Sequence, residues 1–130
     1  MSSAPPSETL EDRWRLEAQT ARNLEGLAAE QAGRTDEAIA LYERNAAEGF
    51  PGDWPYGRLV AIYEKRSAFD DAERVLRRAI EVIESSTRRT PQDRRSMVRA
   101  FRKRLTLVQK RQRAMRSQQS AESQGRARGS

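Results

Sequence analysis

Apolar residues recur along most of this chain at intervals of three and four, the period of a helix face, and nowhere with the alternation of a strand. Leu10, Trp14, Ala18, Ala21, Leu24, Ala28 and Gln31 form the first run, opened by a capping box, Thr9-x-x-Asp12, and closed by Gly33, a residue suited to a left-handed stop. A second run holds Ala38, Ile39, Leu41, Tyr42, Ala46 and Ala47, starting at Asp36 and ending at Gly49. The stretch Gly49-Phe50-Pro51-Gly52-Asp53-Trp54-Pro55 concentrates turn formers and reads as a loop. Pro55 suits the first position of a third helix carrying Leu59, Val60, Ile62 and Tyr63, with Phe69 at its exit. From Asp70 or Asp71, Ala72, Val75, Leu76, Ala79, Ile80 and Ile83 make the most regular row, which Ser85-Ser86-Thr87 ends. Thr90-Pro91-Gln92-Asp93 combines an N-cap, a proline at N1 and an acid at N3, predicting a fifth helix to about Met115. Residues 1–8 and 117–130 have the composition of a disordered leader and tail. The predicted fold class is all-α, with short connections making successive helices antiparallel neighbours.

The chain also repeats itself. Gly33-Arg34-Thr35-Asp36-Glu37-Ala38-Ile39-Ala40-Leu41-Tyr42 aligns with Ser67-Ala68-Phe69-Asp70-Asp71-Ala72-Glu73-Arg74-Val75-Leu76 at an offset of 34 residues. Residues 53–86, with Tyr56, Leu59, Tyr63, Phe69, Ala72, Leu76 and Ala79 in order, resemble the tetratricopeptide repeat (TPR) family, whose helix-turn-helix unit has this period. Residues 19–52 resemble it more loosely: Gly26, Gly33, Ala38 and Tyr42 fit, while Arg22, Glu25 and Asn45 depart from the apolar or small residues of the pattern, as does Val60 in the second unit. The resemblance covers about half of the chain and implies a TPR-like α-α superhelix stub of two repeats within residues 9–86, followed by a basic amphipathic capping helix over 87–116. Ala38 and Ala72 would stand where paired helices cross, a methyl group allowing close approach. Two repeats are fewer than the roughly three that bury a continuous core. The open ends therefore need cover, either from Leu10, Trp14 and Leu16 on one side and Met97, Phe101, Leu105 and Val108 on the other, or from homodimerisation. By resemblance, the inner face of the first helices takes extended peptides or partner helices. That face would include Asn23, Leu24, Leu27, Gln31, Trp54, Arg58, Ala61 and Lys65. Trp54 reads either as a lid packing on Phe50 or as an anchor for a partner, a role in which tryptophan is enriched.

Composition removes most catalytic chemistry. The 130 residues include no cysteine and no histidine, which excludes disulfides, thiolate and imidazole catalysis and Cys/His zinc sites. The acidic pairs Asp36-Glu37 and Asp70-Asp71 stand at helix starts, where capping and the helix dipole account for them. No phosphate-cradling glycine loop or calcium loop is present, so neither cofactor nor metal is expected and the chain reads as non-enzymatic.

Charge adds a second candidate surface. The net +6 averages an acidic body, residues 1–87 at −6, and a basic segment, residues 88–130 at +12. On the fifth helix Met97, Phe101, Leu105, Val108 and Met115 share one face, while Arg95, Arg99, Arg102, Lys103, Lys110 and Arg113 spread over the other. That basic stripe is about 27 Å long and could track phosphates by charge, although it has no aromatic residue for base stacking. The bland reading is a solvated face of a capping helix. No apolar run is long enough to span a membrane and the N-terminus lacks signal-peptide features, so a cytoplasmic protein is expected. The functional expectation is an adaptor that binds a protein partner, as monomer or homodimer, with the arginine-rich helix adding electrostatic attachment. The alternative is a nucleic-acid-associated protein whose basic helix binds the phosphate backbone or another polyanion.

Overall fold

A computed structural model describes residues 8–128, all helices and connections, with no strand among the described residues. Five helices follow in order: α1 (Leu10–Gln31), α2 (Thr35–Glu48), α3 (Trp54–Lys65), α4 (Phe69–Glu84) and α5 (Pro91–Arg128). They divide into two compact units, Met1–Phe50 and Pro51–Ser130. Of the expected leader only Glu8 is described, exposed and outside any helix. Residues 1–7, like 129–130 of the expected tail, lie outside the described residues. No described helix is long and apolar enough to cross a membrane.

The first unit is the α1–α2 hairpin. Its start is the capping box: the Asp12 amide donates to Thr9 Oγ1 (3.0 Å) and the Thr9 amide to Asp12 Oδ2 (3.3 Å). The contact between the helices is unusually polar, because α1 buries Gln19, Asn23, Gly26 and Ala29, and α2 buries Ala38, Tyr42, Asn45 and Ala46. Asn45 Nδ2 donates to the Gln19 carbonyl (2.8 Å) and to Asn23 Oδ1 (2.7 Å), and Arg22 Nη1 donates to Asn45 Oδ1 (2.6 Å). Arg22 also reaches Glu48 Oε1 (3.1 Å), which accepts from Gln19 Nε2 as well (3.2 Å). Desolvation alone would raise the Glu48 pKa, but hydrogen bonds from Arg22, Gln19 and Arg44, with the Arg22 charge, together hold it below its ordinary value. Further along, the Tyr42 ring lies on Gly26 and its hydroxyl donates to Glu30 Oε2 (2.6 Å).

This packing reverses the expectation for α1. Leu10, Trp14 and Leu24 are 62, 62 and 64% exposed, and Ala18, Ala21, Ala28 and Gln31 of the same row are also exposed. Leu10 and Trp14 thus serve as no buried cover, and Leu16 is only half-buried. The physical reason lies in α2: buried Asn45 needs polar partners where the helices meet, and Gln19, Arg22 and Asn23 supply them from the opposite side of α1, with Gln19 and Arg22 also bonding Glu48 at the edge of the contact. Apolar spacing located a face of α1 but not the direction in which it points.

The second unit has an ordinary apolar core. α3 buries Pro55, Tyr56, Leu59, Val60, Ile62 and Tyr63, and α4, packed against both α3 and α5, buries Phe69, Ala72, Val75, Leu76, Ala79 and Ile83. α5 begins as its sequence dictates, the Asp93 amide donating to Thr90 Oγ1 (3.1 Å), and buries Val98, Phe101 and Val108. Phe101 meets Tyr56 edge-on, with centroids 6.5 Å apart. Burial pushes the Tyr56 hydroxyl pKa well up, opposed weakly by the Arg78 charge. Phe69, expected at the exit of α3, is instead the first residue of α4, and Trp54 opens α3 rather than sitting in the preceding loop.

α5 also runs past Met115 to Arg128, so residues 117–128, expected to be disordered, are helical. No proline follows Pro91, and Gln, Ala, Glu and Arg all favour helix, leaving only Gly125 against it. The side chains of residues 116–126 are exposed, so that extension stands free of any core.

The turns ending α1 and α3 have the same geometry 34 residues apart. Gly33 (φ 77°) and Ser67 (φ 57°) are both left-handed. The Arg34 amide bonds the Ala29 carbonyl and the Ala68 amide the Tyr63 carbonyl, each at 2.8 Å; the Gly33 and Ser67 amides bond Glu30 and Glu64 carbonyls, each at 3.0 Å. Both are Schellman stops. Ala38 and Ala72, and Tyr42 and Leu76, are paired at the same offset and are fully buried.

Candidate functional site

Two accessible surfaces stand out, one in each unit. On α1, at 100° per residue, Leu10, Trp14, Glu17, Ala21, Leu24 and Ala28 fall within an arc of about 80° extending about 27 Å, and all are exposed. The spacing alternates four and three residues over about two and a half heptads, the arrangement by which one helix receives another. Glu11, Glu17 and Glu25 edge or interrupt the row, are exposed, and make no ion pair among the described residues. The row therefore combines apolar area with unmatched negative charge.

The expected groove residues separate on inspection. Asn23 is buried and holds Asn45, so it is a packing residue of the hairpin rather than an open contact. Leu24 and Gln31 are exposed, and Leu27 is half-buried. On α3, Trp54, Arg58, Ala61 and Lys65 share one face. Trp54 is 43% exposed, Arg58 and Ala61 are half-buried, and Lys65 is exposed. These four form the accessible side of α3; Gly57 and Glu64 are half-buried at its edges, and its other residues form the core described above.

α5 carries the second surface. Its cations fall into two sets. Several are bound to the unit's own acids, carbonyls and rings: Arg102 to Glu84 (2.8 Å), Arg104 to Glu64 (3.5 Å), Arg116 to Asp70 (3.4 Å), Arg94 to the Ser86 and Arg89 carbonyls, and Arg111 over Phe69 at 4.8 Å. Buried Gln112 donates to Asp70 Oδ1, fixing α5 at the start of α4. The other set, Arg95, Arg99, Lys103, Lys110 and Arg113, is exposed, makes no ion pair among the described residues, and lies within an arc of about 80°. Of the six stripe residues read from the sequence, only Arg102 is engaged inside the unit. Neither acid of α5, Asp93 or Glu122, lies on that arc.

A shallow groove of about 510 Å³ between α4 and α5 is floored by Ile80 and Leu105. Its lining charges are all paired, Arg102 with Glu84 inside the groove, and Arg77 and Glu81 with Glu73 (3.5 Å) and Arg78 (3.0 Å) outside it, which leaves little to recognise a ligand. Among the described residues no group of acids is arranged to hold a metal ion.

Sequence reasoning placed Leu24 on a partner-binding face but missed that Leu10, Trp14, Ala21 and Ala28 join it in an open row of α1, and it missed Leu107, 55% exposed on α5. For Leu107 a signal existed: its neighbours three and four residues away are Lys103, Arg104, Lys110 and Arg111, a setting no core position tolerates. No family model, no curated protein and no solved structure matches this chain.

Proposed function

We propose that this chain is a non-enzymatic protein-interaction adaptor of TPR-like construction, acting in the cytoplasm, whose first helices receive a partner. One observation carries the reading. α1 leaves Leu10, Trp14 and Leu24 in the open on a row that no other described residue buries, while its polar side packs on α2. An exposed apolar row of this kind, interrupted by Glu17 and edged by polar residues, is the usual mark of an interaction site. The 34-residue recurrence of the Schellman stops and of buried Ala38 with Ala72 supports the repeat construction. Composition without cysteine or histidine supports a binding role over a catalytic one.

A second reading has its own observation: Arg95, Arg99, Lys103, Lys110 and Arg113 make no ion pair among the described residues and share one arc of α5 with no acid among them. Such a stripe suits a polyanion, nucleic acid foremost, held through phosphates.

Capture on the immobilised full chain from a cell extract tests both. With nuclease present, the chain is expected to retain defined proteins, and Trp14→Glu with Leu24→Glu is expected to lose them; an unchanged set contradicts the adaptor reading. Without nuclease, nucleic acid that salt releases and that replacement of the five α5 cations abolishes supports the second.

A further inference from the structure

Leu107 is the one large apolar residue that α5 leaves in the open among the described residues, and four cations ring it, Lys103, Arg104, Lys110 and Arg111. Seven residues to either side stand Ala100 and Ala114, both exposed, which extends the position into a narrow seam of small residues with basic edges. α1 presents the complement. Ala21 sits at the middle of its open row with Trp14 and Ala28 seven residues to either side, and Glu17 and Glu25 four residues away on each flank.

We propose that α1 of one chain docks on the Leu107 seam of α5 of a second copy, an inference that rests on the α1 row being a docking surface. Seating Leu107 on Ala21 brings bulky Trp14 against an alanine, Ala114 if the helices are antiparallel and Ala100 if they are parallel, because both helices carry the same seven-residue spacing. The same seating sets each acid beside a cation: Glu17 and Glu25 meet Arg111 and Lys103 in the antiparallel sense, and Lys103 and Arg111 in the parallel sense. At Leu107 and Trp14 large faces small, and at Glu17 and Glu25 negative faces positive, while Ala28 meets the other alanine of the seam and Leu24 lies beside Arg104 or Lys110. Pairing α1 with a second α1 offers neither match, since the central Glu17 then enters a seam with no cation opposite and the Glu11 and Glu25 edges repel their copies. The contact is heterologous, α1 to α5, so it closes by reciprocal exchange in a dimer or propagates into longer assemblies. Lys103 and Lys110 border both this seam and the unpaired basic arc, so docking and polyanion binding would share two side chains.

Sedimentation equilibrium of the nuclease-treated full chain tests the proposal. The expected result at low salt is a mass that rises with concentration above the 14.9 kDa of one chain and falls back as salt is added. Leu107→Glu and Ala21→Lys, both at exposed positions, are each expected to weaken association by roughly tenfold or more with helicity unchanged, the first by setting an acid between Glu17 and Glu25 and the second by setting a cation among those that ring Leu107. Glu17→Lys with Glu25→Lys is expected to abolish it, and adding Lys103→Glu with Arg111→Glu to restore it. A mass of one chain at every concentration overturns the proposal. So does association that survives Leu107→Glu or strengthens with salt, the behaviour of paired α1 helices. A monomer whose Trp14→Glu, Leu24→Glu variant still loses captured proteins overturns self-association alone, whereas unchanged capture with salt-sensitive association removes the adaptor reading and leaves this contact standing.

Discussion

Gly26 has no room for a methyl group. A Cβ there would overlap Tyr42 Cε1 and lie 2.8 Å from Tyr42 Cζ, and that ring is fixed by burial and by its hydrogen bond to Glu30. Alanine is the better helix former by about 1 kcal/mol, but overpacking of this kind costs about 1–3 kcal/mol. Gly26→Ala is therefore expected to destabilise the chain by about 1 kcal/mol in chemical denaturation; a stabilised variant would mean that the ring is not held on α1. At position 33 a side chain would touch nothing, and the demand for glycine comes from the backbone, φ 77°, alone. Ser67 adopts the same left-handed turn at its aligned position. The need for a left-handed residue was therefore legible at Gly33 and hidden at Ser67, where only the repeat offset pointed to it.

Among the helices, the ends were easier to read than the faces. Thr9, Gly33, Gly49 and Thr90 mark helix boundaries because caps are local chemistry, settled within three or four residues. Which side of a helix packs is settled by its neighbour, and for α1 the neighbour is polar: Asn45 and Glu48 of α2 select Gln19, Arg22 and Asn23 over the apolar row. For α4, whose neighbours are apolar, the row of Ala72, Val75, Leu76, Ala79 and Ile83 is the buried one and the spacing could be read directly. The hairpin's reliance on polar contacts gives it a pH dependence. Glu48 titrates below its ordinary range when folded, so its contribution is fully present above its unfolded value near 4.3 and is lost as pH falls through the lower folded value. Acid unfolding followed in this window is expected to be less steep in Glu48→Gln than in the wild type, and the two curves should converge at the acid end. Parallel curves would mean that Arg22, Gln19 and Arg44 do not hold the carboxylate.

Over the whole molecule, the division of charge between an acidic body and a basic C-terminal segment was plain in the sequence, and the structure divides that basic segment again. Arg102, Arg104 and Arg116 are tied to Glu84, Glu64 and Asp70, whereas Arg95, Arg99, Lys103, Lys110 and Arg113 face outward. Composition could count these cations but not separate them, because the separation depends on which acids α3 and α4 bring alongside α5. The same holds for apolar surface: the most regular row, on α4, is core, and the row of α1, also helical in its spacing, is open. Both the adaptor reading and the proposed contact with α5 of a second copy depend on that open row. Its most direct test is the unfolding free energy of the dilute, monomeric full chain carrying Trp14→Asp and Leu24→Asp. A row facing solvent should leave stability within about 0.5 kcal/mol of the wild type for each substitution. A loss of about 3 kcal/mol or more would place Trp14 and Leu24 in a core and contradict it.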